Sequence, residues 1–185
     1  MFVGLPLASE VLSELSEAVD RLRDSKDGLR WTAPGTWHIT LQFLGNTDQQ
    51  HCDCVLNRLV DLRAKQFGVR LGAFGSFDRA GAFFLDVMPG AELVSLAQQV
   101  NAATGKCGFV AETRPYHPHI TLARAKSAVD RSLMGLADRA NRGPGTIGIS
   151  NARFVAREFL LYESRTLPEG AKYEVRGRFP LVPNV

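Results

Sequence analysis

The sequence predicts an α+β fold in which helices lie outside mixed or antiparallel strands. Three observations lead there. Segments of helical and of strand periodicity alternate irregularly, and several strands are joined by hairpin-like turns rather than helices. The residues His-Ile-Thr-Leu occur twice, at 38–41 and at 119–122, which suggests two similar halves facing each other. Apolar residues make up 45% of a 185-residue chain, enough for the packed interior of a single domain spanning 1–185.

Each element has its own signal. Phe2, Val3, Gly4 and Leu5, closed by Pro6, read as a first strand. Val11, Leu12, Leu15, Val19 and Leu22 recur at helical spacing among charged residues, predicting a helix from Ser9 to near Gly28. A turn at Pro34 and Gly35 leads into a strand over 37–44, stopped by Gly45 and Asn46. Asp48 is placed to cap a second helix to about Lys65, with Val55, Leu59 and Leu62 inward. Strands follow at 69–77 and 82–87, around the turn 78–81. A third helix covers 91–104 with Leu93, Leu96, Ala97 and Val100 inward, and the strand 119–125 carries the second repeat. A short helix over 132–142 stops at the loop Gly143, Pro144, Gly145, and two strands, 152–164 and 173–181, close the chain.

Composition narrows the function classes. A net charge of +3 favours anionic ligands without marking a nucleic-acid surface, since no run of Lys or Arg stands out. Three cysteines without framework spacing argue against a secreted disulfide scaffold. His51, Cys52, Asp53 and Cys54 look like a metal cluster only on paper: on a helix such neighbours point in different directions, and no second Cys pair completes a site. The N-terminal residues lack the charged start and apolar stretch of a signal peptide, and no apolar run is long enough for a spanning helix. The chain reads as soluble and cytoplasmic.

The doubled motif carries chemistry. Successive strand residues point to opposite faces, so His38 and Thr40 share one face, and so do His119 and Thr121, while Ile39, Leu41, Ile120 and Leu122 face a core. Two such faces set opposite each other make a pocket with two imidazoles and two hydroxyls. Imidazole titrates near pH ~6.5, so one ring can accept a proton from water while the other donates one to a leaving alkoxide, each role being worth about 10²–10⁴-fold. The hydroxyls can hold non-bridging phosphate oxygens. Neither a metal nor another cofactor is required.

These residues resemble the two-histidine phosphoesterases, a superfamily marked by paired His-x-Thr-x motifs. More narrowly, the chain resembles the RNA 2′,3′-cyclic phosphodiesterases, also called 2′-5′ RNA ligases. Residues 37–45, with Trp37, His38, Thr40, Phe43, Leu44 and Gly45, resemble the first motif. Residues 118–124, with Pro118, His119, Thr121 and Arg124, resemble the second. The opening strand, the segments 75–78 and 83–87, and Leu161, Tyr162, Glu163, Ser164, Gly170 and Tyr173 add support. The family often has Arg near its first strand and Trp in the middle hairpin, where this chain has Met1 and Phe2, and Phe83 and Phe84; these departures bear on the edges of the cleft and hence on substrate preference. The resemblance implies a bilobal fold, two sheets around a central cleft. It makes His38 and His119 the catalytic pair, and Thr40 and Thr121 phosphate ligands. Arg124 becomes a phosphate or nucleotide ligand, with a surface ion pair as its alternative. Phe43 becomes a stacking surface for a base, with core packing as its alternative.

Strict alternation would turn Phe43 and Arg124 away from their histidines, so both need the strand to end, twist or bulge first. His117 is expected at the rim; a three-histidine metal site with His38 and His119 is the alternative, against which stand Pro118 and the want of an evident carboxylate partner. Trp31, Trp37 and Tyr116 are candidates for base contact or for packing. Gly105 and Lys106 lack the first glycine of a phosphate loop. The expected activity is metal-independent hydrolysis of RNA 2′,3′-cyclic phosphate ends to 2′-phosphomonoesters, with His119 as base and His38 as acid. Its reverse would join ends through a 2′-5′ bond. A non-catalytic RNA-end binding protein is the alternative. The expected partner is RNA or an oligonucleotide with a cyclic end, the expected state a monomer, and no membrane is involved.

Overall fold

A computed structural model of the chain describes residues 1–24, 28–125, 133, 135–143, 149–167 and 170–184. The chain order is β1 (Phe2–Pro6), α1 (Ser9–Leu22), β2 (Leu29–Trp31), β3 (His38–Phe43), α2 (Gln49–Leu59), β4 (Phe67–Phe77), β5 (Ala82–Val87), α3 (Ala91–Gly105), β6 (His119–Ala125), α4 (Leu136–Arg142), β7 (Arg153–Ala156), β8 (Glu158–Leu167) and β9 (Gly170–Pro180). Two sheets form, one ordered β3-β1-β8-β9 and the other β2-β6-β5-β4-β7. Every pairing between these strands is antiparallel. The fold is α+β, as the periodicity predicts.

The helices bury one stripe each. Val11, Leu15, Ala18 and Val19 of α1 face inward, as do Cys52, Val55 and Leu59 of α2, and Leu93, Leu96, Ala97 and Val100 of α3. Full burial of each Leu or Val contributes about 1.5–3 kcal/mol, which outweighs weak local capping. Asp48 caps α2 by accepting from the His51 backbone amide at 2.8 Å. α2 and α3 pack on each other, α3 also covers β3, and α4 lies against β4.

Several boundaries differ from the sequence expectation. α1 ends at Leu22 and α2 at Leu59, because the buried stripe of each runs out there; a helix lasts while packing supports it. β2 has three residues, too few for a periodic signal. The expected strand 152–164 is two strands. β7 pairs with β4 in the five-stranded sheet, and after Arg157 the chain enters the four-stranded sheet as β8. Of the helix expected over 132–142, α4 forms the last seven residues. Residues 132 and 134, with Pro144 and Gly145 of the loop, lie outside the described residues.

The cysteines need a correction. Cys54 of α2 is disulfide-bonded to Cys107, just after α3, with Cα atoms 5.9 Å apart. Cys52 is free and buried. Three cysteines still make no framework, but helix–helix packing brings two of them into bonding range, which spacing in the sequence does not encode. No helix among the described residues is long and apolar enough to cross a membrane.

Candidate active site

β3 and β6 present the two repeats from different sheets, and the residues joining them bring the strands together. The Thr32 hydroxyl donates to the carbonyls of Thr121 (3.1 Å) and Leu122 (2.9 Å) on β6, and accepts from Nε1 of Trp37 at 2.8 Å. Trp37 directly precedes His38. The Tyr116 hydroxyl, just before β6, donates to the Thr40 carbonyl at 3.0 Å. Each strand is thus tied to the other through its backbone.

The two histidines have the same local geometry. Nδ1 of His38 donates to the Thr36 carbonyl at 2.7 Å, and Nδ1 of His119 to the His117 carbonyl at 2.8 Å. A carbonyl only accepts, so in the neutral rings the proton sits on Nδ1 and the lone pair on Nε2. Nε2 of His38 lies 3.1 Å from the Thr40 hydroxyl. The charge of His119 acts on His38, so both rings share one electrostatic environment.

Each ring sits in an aromatic box. His38 stacks on Phe2 at 4.4 Å, with Tyr173 edge-on at 5.4 Å and Tyr162 at 5.8 Å. Gly4 makes this possible: a Cβ there would stand 3.0 Å from the Ile39 carbonyl and 3.3 Å from the His38 ring. His119 meets Phe77 at 5.0 Å and Phe84 at 5.3 Å. Loss of hydration lowers the pKa of both rings, that of His38 to about 4, because an apolar wall disfavours the imidazolium. Hydrogen bonds from Nδ1 to the Thr36 and His117 carbonyls oppose the shift in both cases.

A bulge settles where Phe43 and Arg124 point. Between β1 and β3, Val3 faces Gln42 and Gly4 faces Thr40, so Leu41 is the extra residue. Between β5 and β6, Phe83 faces Ala123 and Phe84 faces Thr121, so Leu122 is the extra residue. Leu41 and Gln42 are buried in succession, as are Leu122 and Ala123, and the residue after each pair is exposed. Phe43 and Arg124 therefore return to the face of their histidines. Phe43 is 69% exposed, which rules out core packing, and its ring lies 6.1 Å from Phe2. Arg124 makes no ion pair among the described residues, and its charge acts on both His119 and Tyr173. The Thr121 hydroxyl has no protein partner among the described residues.

His117 stands at the rim, but with a carboxylate that the sequence did not reveal: its Nε2 lies 2.7 Å from Oδ1 of Asp86. Asp86 is the cross-strand partner of His119, a relation visible only once β5 pairs with β6. Among the described residues no three His, Cys, Asp or Glu side chains converge as a metal set. Trp31 packs edge-on to buried Phe83 and Trp37 is buried, so both serve packing. The aromatics around the two histidines, Phe2, Phe77, Phe84, Tyr162 and Tyr173, lie in segments that support the family resemblance, but the sequence did not place them against the histidine rings.

Residues 11–156 match the family model of the 2′-5′ RNA ligase superfamily. The chain belongs to that superfamily. A relative from Aquifex aeolicus, named RNA 2′,3′-cyclic phosphodiesterase, is 30% identical over 133 residues, covering 68% of this chain and 70% of its own. One of the same name from Bacillus subtilis is 25% identical over 179 residues, covering 94% and 95%. Among solved structures, E. coli LigT complexed with 3′-AMP superposes with a TM-score of 0.79 at 25% identity, covering 97% of this chain and 96% of that one. A protein of Thermus thermophilus, TT0787, superposes with a TM-score of 0.75 at 25% identity, covering 100% and 98%. The superfamily fold is the bilobal arrangement described above, two antiparallel sheets with helices outside.

Proposed function

We propose that this chain is a metal-independent RNA 2′,3′-cyclic phosphodiesterase, leaving a 2′-phosphomonoester. The observation that supports it is the matched pair of imidazoles, each with Nδ1 tied to the carbonyl two residues upstream, so that Nε2 of the neutral ring carries the lone pair. The relatives' shared name supports the choice of substrate.

In the reaction, Nε2 of His119 takes a proton from water as the water oxygen bonds to phosphorus. The bond from phosphorus to O3′ breaks, and His38 gives its Nε2 proton to the departing oxygen. Thr40 and Thr121 donate to the non-bridging oxygens, where charge accumulates. Arg124 is a ligand for a phosphate elsewhere on the nucleotide, and Phe43 stacks on a base. Burial alone would favour His38 as base, since it is the ring held down to about 4. The anionic substrate changes this balance: a phosphate beside the ring favours its charged form, so His38 acquires its proton with the substrate in place. With a 5′-hydroxyl in place of water, the same displacement forms a 2′-5′ bond and frees the 3′-hydroxyl. The enzyme works as a cytoplasmic monomer of one domain, on RNA ends.

The test is incubation with an oligonucleotide bearing a 2′,3′-cyclic phosphate, in EDTA, with the product's phosphate position read by mass spectrometry after selective digestion. A 2′-phosphate is expected. His38→Ala and His119→Ala should each lose about 10²–10⁴-fold in kcat. Binding without turnover by the unaltered chain would replace the enzyme with an RNA-end binding protein.

A further inference from the structure

Arg30 of β2 is the cross-strand partner of Arg124 of β6. Directly paired residues share a face, with Cβ atoms ~5 Å apart, and like charges so placed repel. The neighbouring pair, Trp31 with Ala123, lies on the core face, where Trp31 packs on Phe83. Arg30 and Arg124 thus lie on the opposite face, that of His119. Both side chains are exposed, and neither makes an ion pair or hydrogen bond among the described residues. Two carboxylates of this region are engaged elsewhere: Asp86 holds His117, and Asp78 accepts from the Ser76 hydroxyl. The two arginines are therefore cross-strand neighbours on this face, at the end of the cleft, with no counter-charge among the described residues. An anion between them would relieve their repulsion and fill both forks.

We infer that Arg30 and Arg124 form a second phosphate subsite, taking a phosphate of the substrate other than the one that reacts. The inference rests on the cyclic-phosphate reading above. The position explains why a second group is needed. Arg124 follows His119 by five residues along β6, beyond Thr121, so a phosphate held by the arginine pair is displaced along the strand from the one between the histidines. A substrate with a phosphate on the 5′ side of its cyclic end supplies it, either as the internucleotide phosphodiester of an RNA chain or as a terminal 5′-phosphate. Arg30 is then a specificity residue, favouring ends that carry this second phosphate over a bare nucleoside cyclic phosphate.

The experiment compares kcat/KM for three substrates: a nucleoside 2′,3′-cyclic phosphate, the same compound with a 5′-phosphate, and a dinucleotide with a 5′-hydroxyl and a cyclic end. Each is measured with the unaltered enzyme and with Arg30→Gln. The variant should lose at least about tenfold more on substrates with the second phosphate than on the bare one. Its salt dependence on those substrates should weaken by about one charge. Loss on the dinucleotide alone assigns the subsite to the RNA backbone; loss on the 5′-phosphorylated compound alone assigns it to a chain terminus. An equal loss on all three substrates, or none on any, would overturn the subsite while leaving the cyclic phosphodiesterase intact. No turnover of any of the three by the unaltered enzyme would overturn the underlying reading instead. Inorganic pyrophosphate gives a second readout: it should raise the Tm of the unaltered protein more than that of Arg30→Gln, and an equal rise would count against the pair.

Discussion

Leu41 and Leu122 are the same residue in two strands: each is the one extra position that bulges its strand three residues after the histidine. The bulge reverses the alternation, so the residue two further on faces the cleft rather than the core. Phe43 and Arg124 reach the substrate side only because of it.

Phe43→Ala should therefore act on binding rather than folding. The ring is exposed, so its removal leaves no cavity and Tm should hold within a degree or two. Base stacking on an aromatic is worth about 1–3 kcal/mol, so KM for a cyclic-ended oligonucleotide should rise about tenfold or more with kcat little changed. A fall in kcat at constant KM would argue against a stacking role.

Thr32 ties together the two strands that carry His38 and His119. Thr32→Val keeps the shape and the backbone bond from Thr32 to the Leu122 carbonyl, but leaves the Trp37 Nε1 proton without its acceptor and removes the hydroxyl donor to the Thr121 and Leu122 carbonyls. The expected cost is about 1–3 kcal/mol in urea unfolding. Activity should fall further than stability explains, because the two histidines shift relative to each other, and Thr32→Ser should restore both. Full activity in the valine variant would show that the strands hold their spacing without this hydroxyl.

Stability should depend on pH through His38. Its folded pKa of about 4 lies below the ordinary 6.5, so between those values the unfolded chain holds a proton that the folded protein does not. Stability is complete above pH 6.5, declines as pH falls through the window from 6.5 to 4, and levels off below. The full change is about 3 kcal/mol at most. His119 shifts in the same direction and adds to it. Urea midpoints at pH 7.5, 5.5 and 4.5 should fall less steeply for His38→Gln; parallel curves would show that burial of this ring costs nothing.

The bond between Cys54 and Cys107 closes a stretch with a sequence separation of 53 residues. Breaking it with a reductant, or in a Cys54→Ser, Cys107→Ser double variant, should cost about 2–4 kcal/mol through the freedom returned to the unfolded chain. Thermal unfolding with and without dithiothreitol measures this, and the double variant should show no further response to the reductant. An unchanged Tm on verified reduction would mean that α2 and α3 are held by packing alone.

The sequence by itself determined the family, the candidate pair of histidines and most of the elements. Two His-x-Thr strands, with apolar residues between, identified the paired imidazoles and hydroxyls, since alternation along a strand is a local property. β5 and β6 fall where periodicity put them, because each is bounded by a turn or proline. Only the tertiary structure decided which strands pair and where they bulge. That pairing turned Phe43 and Arg124 into the cleft, set Asp86 against His117, brought Cys54 to Cys107, and placed Arg30 beside Arg124. Each of these depends on residues distant in the chain meeting in register, and register follows from the packing of both sheets as a whole, not from any window of sequence.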